Sequence, residues 1–326
     1  MEMRVFYHDR CFDGACSASV FTRFHRECVG TATQFDYVGL GHLPGRVFNP
    51  VEYSAGENAV VDFKYSNSPR MTWWFDHHAS AFLTEADREE FERGQRDGTQ
   101  AKRKFFDADA VSCTGFIARV GREKFGWDTR PIADLIYWAD IVDGARYESA
   151  KAAVEMGEPA MQLTLAIESA PDSSFGVKLI PLLTEVPLGE LVQQRFVQEL
   201  LQPQLERHRA NIVMLRERLK VERGVISFDI TDTPVEGYNK FIPYYLLPEA
   251  TYTVGLSRSS SRLKVGVGTN PWTKLPAAKL ADIAALCTQY GGGGHARVGA
   301  ASFALSDEAS ARKAALEITA FLRELK

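Results

Sequence analysis

The run Trp73-Trp74-Phe75-Asp76-His77-His78 passes from three aromatic residues directly to one carboxylate and two adjacent imidazoles. An Asp beside a His offers hard-to-borderline ligands suited to Mn²⁺, Zn²⁺ or Fe²⁺, and the second His is left over as a proton donor or phosphate contact. Read alone, such a pair is equally an ordinary polar loop. A second group lies near the C-terminus, where Gly291, Gly292, Gly293 and Gly294 precede His295. Four consecutive glycines carry a steep entropic cost. Either their bare N–H groups cradle a phosphate or carboxylate, with His295 adding a donor, or they form a flexible turn. Arg258, among Ser257, Ser259 and Ser260, is a phosphate clamp or a solvated arginine.

These side chains need a frame to bring them together. Residues 73–76 read as a buried strand whose C-terminal edge presents the three polar groups, and ligands bind at that edge of an open α/β sheet. Residues 4–7 predict a first strand stopping at His8, then a loop with Asp9, Cys11 and Asp13-Gly14, then a helix from Ala15 to Glu27. Residues 58–63 predict another strand, containing Asp62. The apolar segment 132–139 reaches Asp140 and then Ile141-Val142-Asp143-Gly144. Four apolar segments thus end in acid or imidazole, and in a parallel sheet their ends can converge. A single Asp there is an ordinary helix cap or loop residue. Several carboxylates brought together repel unless cations compensate. Two metals about 3.5–4 Å apart, bridged by a shared Asp, would suit hydrolysis of a phosphoester or phosphoanhydride.

The chain has 326 residues, 45% hydrophobic and 25% charged, enough for about two domains. A net charge of -4 leaves no general basic surface, so contact with nucleic acid must be local, and no long duplex is expected as partner. Five widely spaced cysteines without a CxxC fit a reducing cytoplasm. No export signal is read, and no run approaches the ~18 apolar residues of a membrane helix. Residues 85–104 mix charges of both signs and predict a solvated helix and loop, with Lys102-Arg103-Lys104 as a minor basic patch.

After Pro187 the pattern turns helical through residue 223, with a kink or split at Pro203 and a stop at Gly224. Beyond it, residues 225–230, 252–257 and 263–268 predict strands. Pro276 opens a helix over 277–289, and a final helix spans 307–325 with Ser306 as its cap. The domains expected are 1–187, a helical linker 188–223, and 224–326.

Asp76-His77-His78 together with Gly292-Gly293-Gly294-His295, about two hundred residues apart, resembles the DHH phosphoesterases with their DHH-associated C-terminal domain. RecJ-like exonucleases and the nano-RNase and cyclic-dinucleotide phosphodiesterase group belong there. The resemblance implies an α/β protein: an N-terminal parallel-sheet domain carrying two Mn²⁺, a helical linker, and a smaller α/β substrate-binding domain, with the active site in the cleft between them. Carried over to this sequence, it implies metal ligation by His8, Asp13, Asp62, Asp76, His77 and Asp140, with Asp62 bridging. It gives His78 and Asp76 catalytic roles, and Arg258, Gly292, Gly293, Gly294 and His295 the substrate. One departure stands out. The family's first motif has two Asp spaced by one residue, and here Cys11 occupies the earlier position, so Cys11 ligates as a thiolate, Asp9 substitutes, or one metal binds weakly.

The function expected is that of a cytoplasmic metal-dependent hydrolase with nuclease character, cleaving phosphodiester bonds of short oligonucleotides or linear dinucleotides. The metals would bring the pKa of a water toward ~7, and His78 would be the general acid. Two rivals remain: a phosphatase or pyrophosphatase acting on a small phosphorylated metabolite, and a non-catalytic nucleotide-binding regulator. No membrane partner is expected, and a homodimer is compatible with the sequence.

Overall fold

The computed structural model describes residues 2–30, 34–41, 53, 56–100, 102–233, 235 and 237–325. The chain forms two compact units: residues 1–147 with 157–204, and residues 148–156 with 205–326.

The first unit is built on a parallel sheet of β1 (Glu2–His8), β2 (Gln34–Leu40), β3 (Glu57–Val61), β4 (Trp73–Asp76) and β5 (Lys104–Phe106), in the order β2-β1-β3-β4-β5. β3 and β4 are buried along their whole length, which is why residues 59–61 and 73–75 read as apolar runs. Alternation still divides the aromatic residues of β4 between the two faces. Trp73 and Phe75 meet Phe21 and Phe24 of α1 (Phe12–Phe24). Trp74 faces the other way, against Tyr65, Phe106 and Phe91 of α2 (Glu85–Arg96), and its indole N–H donates to the Phe63 carbonyl at 2.9 Å. Burying side chains of this size fixes the strand register.

The connection order places a switch point between β1 and β3, because the chain leaves β1 toward β2 on one side and toward β3 on the other. Side chains at the C-terminal ends of these two strands open into that crevice.

Five further helices complete this unit among the described residues, α3 (Cys113–Phe125), α4 (Ala133–Asp143), α6 (Pro159–Glu168), α7 (Ser174–Leu183) and α8 (Leu188–Val192), while α5 (Ala150–Val154) belongs to the second unit. The segment expected as a fourth strand-like element, 132–139, lies in α4 with the 3-10 turn before it. An apolar run of eight residues cannot be told from a buried helix by pattern alone, and the helix continues through Asp143. Residues 188–223 hold α8, then α9 (Arg195–Arg218), which carries Pro203 inside it, then strand β6 (Lys220–Glu222). Gly224, at φ +77°, turns β6 back into β7 (Val225–Asp229) rather than ending the helix.

The second unit has a mixed sheet of β6, β7, β8 (Tyr252–Arg258), β9 (Leu263–Thr269), β10 (Gly293–His295) and β11 (Val298–Phe303), in the order β10-β11-β9-β8-β7-β6. The short α10 (Ile242–Leu246) precedes β8. The core joins Val254, Leu256, Val265 and Val267 to Ile283 and Cys287 of α11 (Ile283–Thr288) and to Ala314, Ile318 and Leu322 of α12 (Glu308–Glu324). Residues 148–156 belong here because His208 Nε2 reaches the Val154 carbonyl at 2.7 Å and Asn239 Nδ2 donates to the Ala153 carbonyl at 2.8 Å. The helix expected over 277–289 is a 3-10 turn at Ala277–Lys279 followed by α11, which restarts on the Asp282 side-chain cap. In the last helix the N-cap position is Asp307, not Ser306. Among the described residues, no helix is long and apolar enough to cross a membrane.

Candidate metal centre

β1 ends at His8, and the loop that follows must bring α1 straight back against it. Gly14 is required there, since a Cβ would overlap the His8 carbonyl oxygen. The tight return puts Asp13 inside the unit, fully buried. Its Oδ2 accepts from the Cys113 N–H at 2.7 Å and its Oδ1 from the Thr114 N–H at 3.0 Å, so the carboxylate sits on the N-terminus of α3, where unpaired amides favour negative charge.

Asp62 follows β3 directly. It is a non-glycine residue at φ +56°, a conformation costing about 1–3 kcal/mol, and its N–H is tied to the Phe75 carbonyl at 2.9 Å. The strained turn aims its carboxylate at the crevice. Both oxygens are buried and neither makes a hydrogen bond. Three imidazoles surround them: His8 Nδ1 at 3.4 Å from Oδ2, and His77 Nε2 and His78 Nδ1 at 3.5 and 3.8 Å from Oδ1.

His77 is oriented from behind, with Nδ1 3.0 Å from the Ala110 carbonyl. That contact takes a proton on Nδ1, so that in the neutral ring Nε2 carries the lone pair a cation would use. Nε2 lies 3.4 Å from Asp143 Oδ2, 3.5 Å from Asp62 Oδ1 and 3.8 Å from Asp13 Oδ2. His78 is the more exposed imidazole of the pair, and its Nδ1 is 2.7 Å from Asp76 Oδ1.

These separations fit a cation. Metal–ligand bonds of about 2.1 Å hold neighbouring donor atoms about 3.0–3.4 Å apart in octahedral or tetrahedral shells. The imidazole–carboxylate gaps around Asp62 and His77, 3.4 to 3.8 Å, lie at or slightly above that range. Three overlapping groups have ligand atoms within 4.8 Å of one another: His8, Cys11 and Asp62; Asp62, His77 and His78; and Asp13, His77 and Asp143. Asp62 belongs to two of them.

The charges tell the same story. Burial works to raise Asp62, but the facing imidazoles prevail and hold it at about 2. Burial likewise opposes protonation of His77, yet Asp62 and Asp13 bring it up to about 10. Asp143 is pushed up to about 6 by burial and the Asp62 charge, and Asp13 well above the usual carboxylate range by burial with Asp62 and Asp143. Burial and the nearby carboxylates raise the Cys11 thiol as well. The pocket holds more acid than its imidazoles can neutralise, and a divalent cation would relieve that excess.

The structure brings His8, Asp13, Asp62 and His77 together. Asp140 does not join them: its Oδ1 accepts from Ser112 Oγ at 2.6 Å, and Asp143, one helical turn later, faces His77 instead. The resemblance placed Asp140 on the family's fourth motif; the packing of α4 brings Asp143 to the cluster instead. Asp76 sits behind the imidazoles, where its Oδ1 accepts the N–H groups of both His77 and His78. Asp9 is engaged elsewhere, accepting from Ser173 Oγ at 2.7 Å and from the Tyr7 hydroxyl at 3.4 Å.

In the second unit, two of the four glycines have a local explanation. A Cβ on Gly292 or Gly294 would overlap the backbone of β11, at Ala300 and Val298. Gly291, at φ +72°, lies in the turn after α11, and a Cβ at either Gly291 or Gly293 would meet open space. His295 is exposed at the end of β10, and Arg258 lies 3.8 Å from Glu308.

No protein-family model and no curated protein matches the sequence. Solved structures do. A pGpG-specific phosphodiesterase from Vibrio cholerae aligns over 99% of this chain and 100% of its own, at a TM-score of 0.64 and 16% identity. The DHH domain of a member of the S1p family of ribosomal proteins aligns over 100% and 87%, at 0.56 and 13%. The fold is that of the DHH phosphoesterases. RecJ from Thermus thermophilus, in complex with Mn²⁺, shares it at 0.55 and 15%, although this chain spans 52% of that one. Within the DHH fold the cluster just described occupies the C-terminal edge of the parallel sheet at its switch point.

Proposed function

We propose that the chain is a metal-dependent phosphohydrolase that cleaves the phosphodiester bond of linear dinucleotides and short oligonucleotides. One observation carries the reading: a buried carboxylate, Asp62, with no hydrogen bond to either oxygen, stands between two groups of imidazole and carboxylate ligands. Two divalent cations, at least one of them Mn²⁺ in our reading, would be held by His8, Asp62, Asp13, His77 and Asp143. When bound they would supply Lewis-acid activation of water and neutralise charge on the phosphoryl oxygens.

The rest falls to the chain itself. Asp76 fixes Nδ1 of His78 and leaves Nε2 to protonate the departing oxygen. Arg258, Gly293 and His295 of the second unit are the groups we assign to the substrate's phosphate. The fold shared with a pGpG-specific phosphodiesterase over both full lengths supports a dinucleotide, and a net charge of -4 supports short substrates over long polyanions. We assign the protein to the cytoplasm, where its five unpaired thiols stay reduced.

The test is a panel of di- to decanucleotides, nucleoside monophosphates and pyrophosphate, turned over with Mn²⁺. Dinucleotides should give the highest kcat/KM. Preference for a monophosphate or pyrophosphate would make the protein a phosphatase of small metabolites, and binding without turnover of any member would make it a regulator.

A further inference from the structure

We propose that the two halves of the centre are chemically unequal, and that the half formed by His8, Cys11 and Asp62 selects a thiophilic divalent ion of the Zn²⁺ class through a Cys11 thiolate. The proposal rests on reading the cluster as a metal centre, and its consequence is a mixed pair, with Mn²⁺ or Mg²⁺ confined to the other half.

Three observations carry it. The sulfur of Cys11 lies within 4.8 Å of ligand atoms on both His8 and Asp62. Cys11 occupies the N-cap position of α1, where its side chain makes no capping hydrogen bond and the Gly14 N–H favours the thiolate. The nearest acid in the same loop, Asp9, is held by Ser173 and Tyr7 and does not supply the carboxylate that Cys11 replaces. Beside these stands Asp62, buried and without a hydrogen bond on either oxygen.

Ligand softness then separates the two halves. Sulfur, imidazole and one carboxylate favour Zn²⁺, Co²⁺ or Fe²⁺, whereas Asp13, Asp62 and Asp143 around one imidazole form an oxygen-rich set suited to Mn²⁺ or Mg²⁺. Binding at the first half releases the thiol proton to solvent.

Co²⁺ tests this without reference to turnover. Titrated into the metal-free full chain, Co²⁺ should produce a thiolate-to-cobalt charge-transfer band in the near ultraviolet. The band should persist in Cys28→Ser, which removes the other partly exposed thiol, and vanish in Cys11→Ser. Cys11→Ser should lower Zn²⁺ affinity by at least about 100-fold, and Cys11→Asp should exchange Zn²⁺ preference for Mn²⁺. Should the variants fail to fold, alkylation of the wild type decides: saturating Zn²⁺ should protect Cys11 from iodoacetamide, and unchanged labelling overturns the proposal. Bound Co²⁺ with no charge-transfer band would also overturn it while leaving a metal centre in place. A chain that binds no Co²⁺ at all would remove the metal centre as well.

Discussion

Asp76 Oδ1 lies 2.7 Å from His78 Nδ1 and accepts the backbone N–H groups of His77 and His78 at 2.8 and 3.2 Å. One buried oxygen thus fixes the backbone of both histidines and the ring of His78. It also raises the pKa of His78, its hydrogen bond outweighing burial. Asp76→Asn keeps an acceptor there but removes the charge that holds His78 protonated. We expect kcat to fall about 10²-fold or more with metal content unchanged. Loss of metal in Asp76→Asn, measured by elemental analysis, would instead make Asp76 a ligand.

Asp143 and Asp140 differ by one helical turn and should differ in kind. Asp143→Asn removes a carboxylate 3.4 Å from His77 Nε2 and should weaken metal binding on the order of 100-fold. Asp140→Asn weakens a bond to Ser112 and should cost about 1–2 kcal/mol of stability with metal affinity kept. Isothermal titration with Mn²⁺ and thermal unfolding separate the two. The reverse pattern would restore Asp140 as the ligand the resemblance implied.

That exchange marks where the sequence stopped being legible. Strands β1, β3 and β4, buried on both faces, announce themselves as apolar runs, and the acids and imidazoles at their ends followed from a parallel sheet. Asp143 depends on tertiary packing: helix α4 must turn its last acid toward His77, and no periodicity in a short apolar segment says so. The engagement of Asp9 by Ser173, 164 residues away, is equally invisible in the chain order. The glycine run misled differently, since the backbone of β11 accounts for two of its members.

That glycine run makes its own prediction. Gly292→Ala forces a Cβ into the Ala300 carbonyl and should destabilise the second unit by about 2–3 kcal/mol or more. Gly293→Ala meets open space and should leave stability within about 1 kcal/mol. If Gly293 approaches substrate, that variant raises KM for dinucleotides with kcat nearly unchanged. An unaltered KM would release the glycine run from substrate binding.

His25 supplies a pH dependence away from the metal centre. It is fully buried in the π-helical turn after α1 and faces Glu57, with Arg103 bound to the same carboxylate. Burial lowers its pKa, Glu57 opposes and Arg103 assists. The folded state therefore binds this proton less readily than the unfolded chain, whose histidine titrates near 6.5. Stability from neutral His25 is present above that value and is lost as pH falls through it. Denaturant unfolding between pH 8 and pH 5, at roughly one-unit steps, should show a smaller acid loss in His25→Gln than in the wild type. Parallel curves would assign the acid sensitivity to other groups.

Mn²⁺-dependent hydrolysis of a linear, 5′-phosphorylated dinucleotide by wild type and Asp62→Ala is the most direct measurement of the central claim. Asp62 stands between the two ligand groups, so its removal should abolish turnover and strip metal from both. Wild-type turnover that stops with chelator and is absent in a folded Asp62→Ala is the result predicted. Near-normal Mn²⁺ content and activity in Asp62→Ala would contradict the account.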